Sequence, residues 1–126
     1  GITWSKVGDT SLLGNTSDAK ILTYNNKLYF MGGVAWGGVS GGSSRKIYTS
    51  TDGVNWVYLN TNFPSSTSLF QEIDAVVVNG KMVVGDSRNV LPFGNKLWTS
   101  TDGFVWVQQS SSLPWSPRTG YRMIAN

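Results

Sequence analysis

Two stretches of this sequence are copies of each other. Residues 47–57 read IYTSTDGVNWV and residues 97–107 read LWTSTDGFVWV. They share TSTDG and a tryptophan three residues after the glycine, so Ser50 maps onto Ser100 and Trp56 onto Trp106, an offset of 50. Upstream, YNNKLYF (24–30) matches VNGKMVV (78–84), with Lys27 mapping onto Lys81 at an offset of 54. The difference of four lies in the intervening loop, GGVAWGGVSGGSS (32–44) in the first copy and DSRNVLPFG (86–94) in the second. A structural unit repeated at this period buries its apolar face against its neighbour rather than closing a core alone.

Each copy reads as four short strands. They are expected at 19–24, 27–32, 45–50 and 55–59, and again at 73–78, 81–85, 96–100 and 105–109. Asn25-Asn26 and Asn79-Gly80 sit between apolar runs and fit two-residue hairpin turns, because asparagine and glycine tolerate positive φ. Asp52-Gly53 and Asp102-Gly103 mark the second hairpin of each unit, and β-branched and aromatic residues fill the flanks. No stretch carries a helical apolar period with caps. The ends read as partial copies. Residues 2–7 (ITWSKV) match a fourth strand with Trp4 in the place of Trp56, and residues 121–125 match a first strand. The expectation is one all-β repeat domain over 1–126. Residues 1–9 form a fourth strand, 19–60 and 72–110 two whole units, and 118–126 a further first strand. That makes ten strands, about two and a half units.

Composition narrows the chemistry. The chain has 126 residues, with 13% charged and 13% aromatic, six tryptophans and 15 glycines. Charge is too sparse for a coiled coil or for disorder driven by net charge. There is no cysteine, which excludes a disulfide framework, a thiolate metal site and a cysteine nucleophile. There is no histidine, which removes the usual general base and the commonest metal ligand. The net charge of +3 is mild and the cations are scattered among the strands, so nucleic-acid binding is not expected. The longest aliphatic run, residues 75–78, is too short to span a membrane. No cofactor or metal is expected.

A four-stranded repeat of this length, with a D-G turn and a tryptophan, resembles a β-propeller blade. Ser50-Thr51-Asp52-Gly53-Val54-Asn55-Trp56 and its copy at 100–106 resemble the Asp box of sialidase-like and lectin-like propellers, shortened by one residue between Asp and Gly. Gly32-Gly33 after Tyr29-Phe30-Met31 resembles a kelch repeat, and the second copy departs from it with Gly85-Asp86. The resemblance implies four-stranded antiparallel blades, about two and a half in this chain, completed by other chains or by a larger assembly. It implies a structural role for Ser50, Asp52, Gly53 and Trp56 and for Ser100, Asp102, Gly103 and Trp106. In that role the aspartate and serine brace the turn and the tryptophan fills the gap between sheets. One Asp and one Ser are too few oxygens for calcium.

Enzymatic sialidases use an arginine cluster, a tyrosine–glutamate pair and an acidic general acid. This chain offers Arg45, Arg88, Arg118, Arg122, Tyr121 and one glutamate, Glu72, two residues from Asp74. No carboxylate pair is marked by its spacing, so Glu72 and Asp74 read as solvated strand-end charges and the chain reads as non-enzymatic. Recognition is the leading expectation, with loops carrying it. Trp36 in the glycine-rich loop and Arg45 at its end form one candidate ligand-binding group. Trp115, Arg118 and Tyr121 form another, with the aromatic faces stacking on a sugar and the arginines meeting a carboxylate or sulfate. The expected partner is a cell-surface glycan or a protein receptor, without membrane insertion. Similar TSTDGxxW repeats in phage tail and bacterial surface proteins imply an extracellular, cell-surface or virion setting. The alternatives are a scaffold or assembly element of a larger propeller or virion, and a fragment of a sialidase-like glycoside hydrolase.

Overall fold

The computed structural model describes residues 3–6, 13, 16–35, 46–59, 73–86, 96–110, 114, 116, 120 and 122–125. The described residues are all-β, with no α-helix. Eight strands run in chain order: β1 (Thr16–Tyr24), β2 (Lys27–Ala35), β3 (Ile47–Ser50), β4 (Val57–Leu59), β5 (Ile73–Val78), β6 (Lys81–Asp86), β7 (Leu97–Ser100) and β8 (Val107–Ser110). They form two four-stranded antiparallel meanders, β1-β2-β3-β4 and β5-β6-β7-β8. The sheets therefore follow the sequence copies one for one.

The first hairpin of each sheet closes as the residue types dictate. Asn25 and Asn26 have φ of 47° and 57°, and Asn79 and Gly80 have 48° and 69°. Two successive positive φ values match the right-handed strand twist, which is why asparagine and glycine stand there. The second hairpins differ from a two-residue turn. Residues 51–56 and 101–106 form six-residue links in which the glycine alone takes positive φ, 75° at Gly53 and 77° at Gly103. The terminal expectations also need correcting. Neither residues 3–6 nor 122–125 form a strand, and Trp4 is 92% exposed rather than packed like Trp56 or Trp106.

The two sheets share one core. Leu22, Tyr24, Tyr29, Met31 and Ile47 of the first meet Ile73, Ala75, Met82, Val84, Trp98 and Trp106 of the second, with Leu59 and Val77 at the margin. Side chains alternate faces along a strand, and the register fixes which face each sheet commits. In the first sheet Leu22, Tyr29, Thr49 and Val57 stand side by side on the face toward the second. In the second sheet Ala75, Val84 and Trp98 stand on the face toward the first. By the repeat offsets the latter correspond to Ile21, Phe30 and Tyr48, which lie on the opposite, outer side of the first sheet. There Phe30 and Tyr48 form a separate cluster with Leu13, Ala19 and Trp56. The contact is therefore head to tail, the two sheets using opposite faces of the same unit.

Candidate functional site

The two STDGxxW links share one backbone hydrogen-bond pattern because the serine, aspartate and tryptophan side chains have the same local job in each. Ser50 Oγ accepts the N–H groups of Asp52 (3.3 Å) and Gly53 (2.9 Å) and donates to Asp52 Oδ1 (2.9 Å). That same Oδ1 accepts from Val54 N (2.8 Å) and Asn55 N (2.7 Å), and Asn55 Nδ2 donates to Asp52 Oδ2 (2.8 Å). The second copy repeats this. Ser100 Oγ accepts from Asp102 N and Gly103 N and donates to Asp102 Oδ1, which accepts from Phe104 N and Val105 N at 2.8 Å each. The indoles close the links, Trp56 Nε1 donating to Gly53 O (3.1 Å) and Trp106 Nε1 to Gly103 O (3.0 Å).

These bonds favour the charged carboxylate. The Asn55 backbone N–H, with the Asn55 side chain, Val54 N–H and Ser50, holds Asp52 well below the usual carboxylate range. The Val105 N–H, against some burial and with Phe104 N–H and Ser100, lowers Asp102 too. Asp52 engages both oxygens inside its link and Asp102 engages Oδ1, Val105 standing where Asn55 reaches Oδ2 in the first copy, so the motif acts as a turn clamp.

The copies differ in what they face. A Cβ on Gly103 would stand 2.5 Å from Tyr29 Cε1 and 3.3 Å from Met82 Cε, whereas one on Gly53 would meet only Leu28 Cδ1 at 3.5 Å. The second link is pressed against the first sheet. Tyr29 Oη donates to Asp102 O (3.4 Å), and Tyr24 Oη donates to Gly80 O (2.7 Å). Burial, with Tyr24 and Asp102 nearby, raises the Tyr29 phenol, keeping it neutral as a donor. Gly103→Ala is expected to cost about 2–3 kcal/mol from positive φ and overpacking. Gly53→Ala is expected to cost about 1 kcal/mol from φ alone. Urea unfolding of the two variants checks the order, and equal costs would contradict the close packing at Gly103.

A second polar constellation overturns an expectation. Asp74 is fully buried rather than a solvated strand-end charge. Lys20 Nζ pairs with its Oδ1 and Met123 N donates to its Oδ2. Burial pushes its carboxyl up, but Lys20 and the N–H groups of Met123 and Ala75 outweigh that and leave it lowered. Lys20 and Asp74 occupy equivalent positions of the two copies at the offset of 54, so the repeat carries opposite charges where its first strands meet. The available signal was a carboxylate inside the apolar run IDAVVV, with a lysine at the matching place.

Around this pair lies a cavity of about 450 Å³, lined by Asp18, Ala19, Lys20, Ile73, Asp74, Gly120 and Arg122. It lies where the starts of β1 and β5 meet the segment near the C-terminal end. Asp18 has φ of 60°, uncommon for a non-glycine residue, and the ladder to β2 skips it between Ser17↔Val34 and Ala19↔Gly32. Ser17 Oγ donates to Asp18 Oδ2 at 3.0 Å.

The sequence-derived ligand candidates Trp36, Arg45, Trp115, Arg118 and Tyr121, and also Arg88 and Glu72, lie outside the described residues. Of the residues considered for substrate, Arg122 and Asp74 are described, and both line the cavity. Among the described residues no group of three or more acidic, histidine or cysteine side chains is placed to hold a metal. No described helix is long and apolar enough to cross a membrane. A scan against protein-family models matches none, and a search of curated proteins finds no significant relative.

Proposed function

We propose that this chain is a non-enzymatic recognition module of propeller type, each sheet being a blade and further blades being supplied by neighbouring copies of the chain. The head-to-tail use of opposite faces carries this reading. Val76, Val83, Thr99 and Val107 line the outer face of the second sheet in one cross-strand row. They are the repeat equivalents of Leu22, Tyr29, Thr49 and Val57; Leu22 and Tyr29, together with Tyr24, whose repeat equivalent is Val78, pack the first sheet onto the second. Val107 is 55% exposed and Val78 37%. A heterologous contact of this kind leaves a used face and an open one on every unit, and it repeats until a ring closes. The receiving surface is the outer side of another copy's first sheet, where Ile21 is 53% exposed. The recognition target is a cell-surface glycan or a protein receptor, met by loops that the stacked sheets hold in place. The apolar outer row favours assembly as a second role, in which the chain scaffolds a larger propeller or virion.

The test exploits mass action. If copies associate through the outer row, the melting temperature rises with protein concentration. Val78→Lys is expected to remove that dependence while keeping the dilute-solution melting temperature, because Val78 is exposed within one chain while its repeat equivalent Tyr24 is buried in the contact between sheets. A melting temperature independent of concentration in the unaltered chain contradicts the reading.

A further inference from the structure

We infer that residues 122–125 guard the joint between copies, holding the place on the second sheet that β1 of a neighbouring copy takes on assembly; this rests on the assembly reading above. Side chains alternate along β5. Asp74 therefore shares its side with Val76 and Val78, the open face of the second sheet, while Ala75 faces the first sheet. Met123 N donates to Asp74 Oδ2, so the segment reaches the open face at the start of β5. With Asn126 matched to the turn residues Asn25 and Asn79, Met123 aligns with Leu22 of β1 and Val76 of β5. The segment thus has the sequence of a first strand and touches the sheet where the next first strand would stand. It forms no strand itself, and Ile124 is 85% exposed.

Burial along the open row fits such a guard. Asp74 is fully buried, Val76 is half-buried and Val78 is 37% exposed. On the matching row of the first sheet Leu22 and Tyr24 are both buried, because the second sheet covers that row to its end. Within one chain, then, the open row is covered only toward Asp74. Head-to-tail repetition brings a neighbour's β1 to that same end. Inside the chain the pairing is Lys20 Nζ on Asp74 Oδ1, one side chain from each copy of the repeat at the same position. Between copies the same geometry brings Lys20 of the neighbour to Asp74, where Met123 N stands in the single chain. Segment and neighbour therefore compete for Asp74 Oδ2. The Met123 N–H keeps that buried oxygen satisfied while the chain is alone, and leaving it bare would cost free energy. On assembly the neighbour's ammonium replaces it with a charge-assisted bond.

The test is sedimentation velocity of the full chain over a dilution series, comparing the unaltered protein with Met123→Pro and Met123→Ala. Proline has no N–H, so Met123→Pro removes the bond to Asp74, and Met123→Ala keeps it. Met123→Pro is expected to lower the concentration of half-association about tenfold, the worth of one hydrogen bond to a charged group. Met123→Ala is expected to leave it unchanged. An unaltered chain that associates, with Met123→Pro associating equally or more weakly, overturns the guard and leaves assembly standing. So does a Met123→Ala effect equal to that of Met123→Pro, which assigns it to the side chain. A single-chain mass for all three proteins at every concentration overturns assembly and the guard with it. Should Met123→Pro fail to fold, amide exchange in the unaltered protein decides. The Met123 N–H is expected to be protected in the dilute chain and to lose protection in the multimer; protection kept in the multimer overturns the guard.

Discussion

Trp106→Ala is expected to cost about 3–5 kcal/mol, and Trp56→Ala roughly half as much, although the two residues occupy the same place in the repeat. Trp106 is 6% exposed and stands in the core shared by the sheets. Trp56 is half-buried on the outer side of the first sheet, packed edge-on against Phe30 with ring centroids 6.1 Å apart. Both indoles make the same hydrogen bond to the glycine of their link, so that bond cancels in the comparison. The residual difference is the inter-sheet contact. Folded domains carry about 5–15 kcal/mol in all, so Trp106→Ala leaves a marginal protein and Trp56→Ala a folded one. Urea unfolding followed by far-ultraviolet circular dichroism measures both. Equal losses would mean that the sheets do not depend on each other.

Asp74→Ala is expected to cost about 3 kcal/mol, within the range for breaking a buried pair from one side. Lys20 keeps 32% side-chain exposure and regains water, which limits the loss. The Met123 N–H loses its acceptor as well. The pair also sets a pH dependence. The folded Asp74 carboxyl is lowered, so its stabilisation is complete above the unfolded value near 3.9 and is lost as pH falls through the lower folded value. Asp52 and Asp102 act in the same direction. In Lys20→Met, burial of Asp74 is no longer offset by the cation, so the variant is less stable than the unaltered chain where the carboxyl is charged, and the deficit narrows as acid protonates it. Urea unfolding at neutral and acid pH measures this, and a deficit that is absent at neutral pH would show that the pair contributes nothing to the joint between the first strands.

Much of the fold was legible because it is written twice. The TSTDG copies located β3, β4, β7 and β8, and the Asn-Asn and Asn-Gly pairs located the first hairpins through their need for positive φ. What repetition could not disclose is where the copies stop being equivalent. Trp56 and Trp106 are the same residue in the same motif, yet only one faces a neighbouring sheet. Trp4 has the motif's residue without its sheet, and it lies in solvent. Asp74 read as a surface charge because pattern reasoning weighs a residue against its own strand. Its partner is on another strand, 54 positions away, and burial of the pair depends on how the sheets meet. The cavity was invisible for the same reason, since the described residues of its wall come from three separated segments.

The claim at the centre of this account is that the outer face of the second sheet receives another copy as the first sheet receives the second. Light scattering on a sizing column measures it most directly. The account predicts one discrete species with a mass that is an integral multiple of 13.7 kDa, reduced to a single chain by Val78→Lys. A single-chain mass at every concentration, or a multimer that Val78→Lys leaves intact, would contradict it.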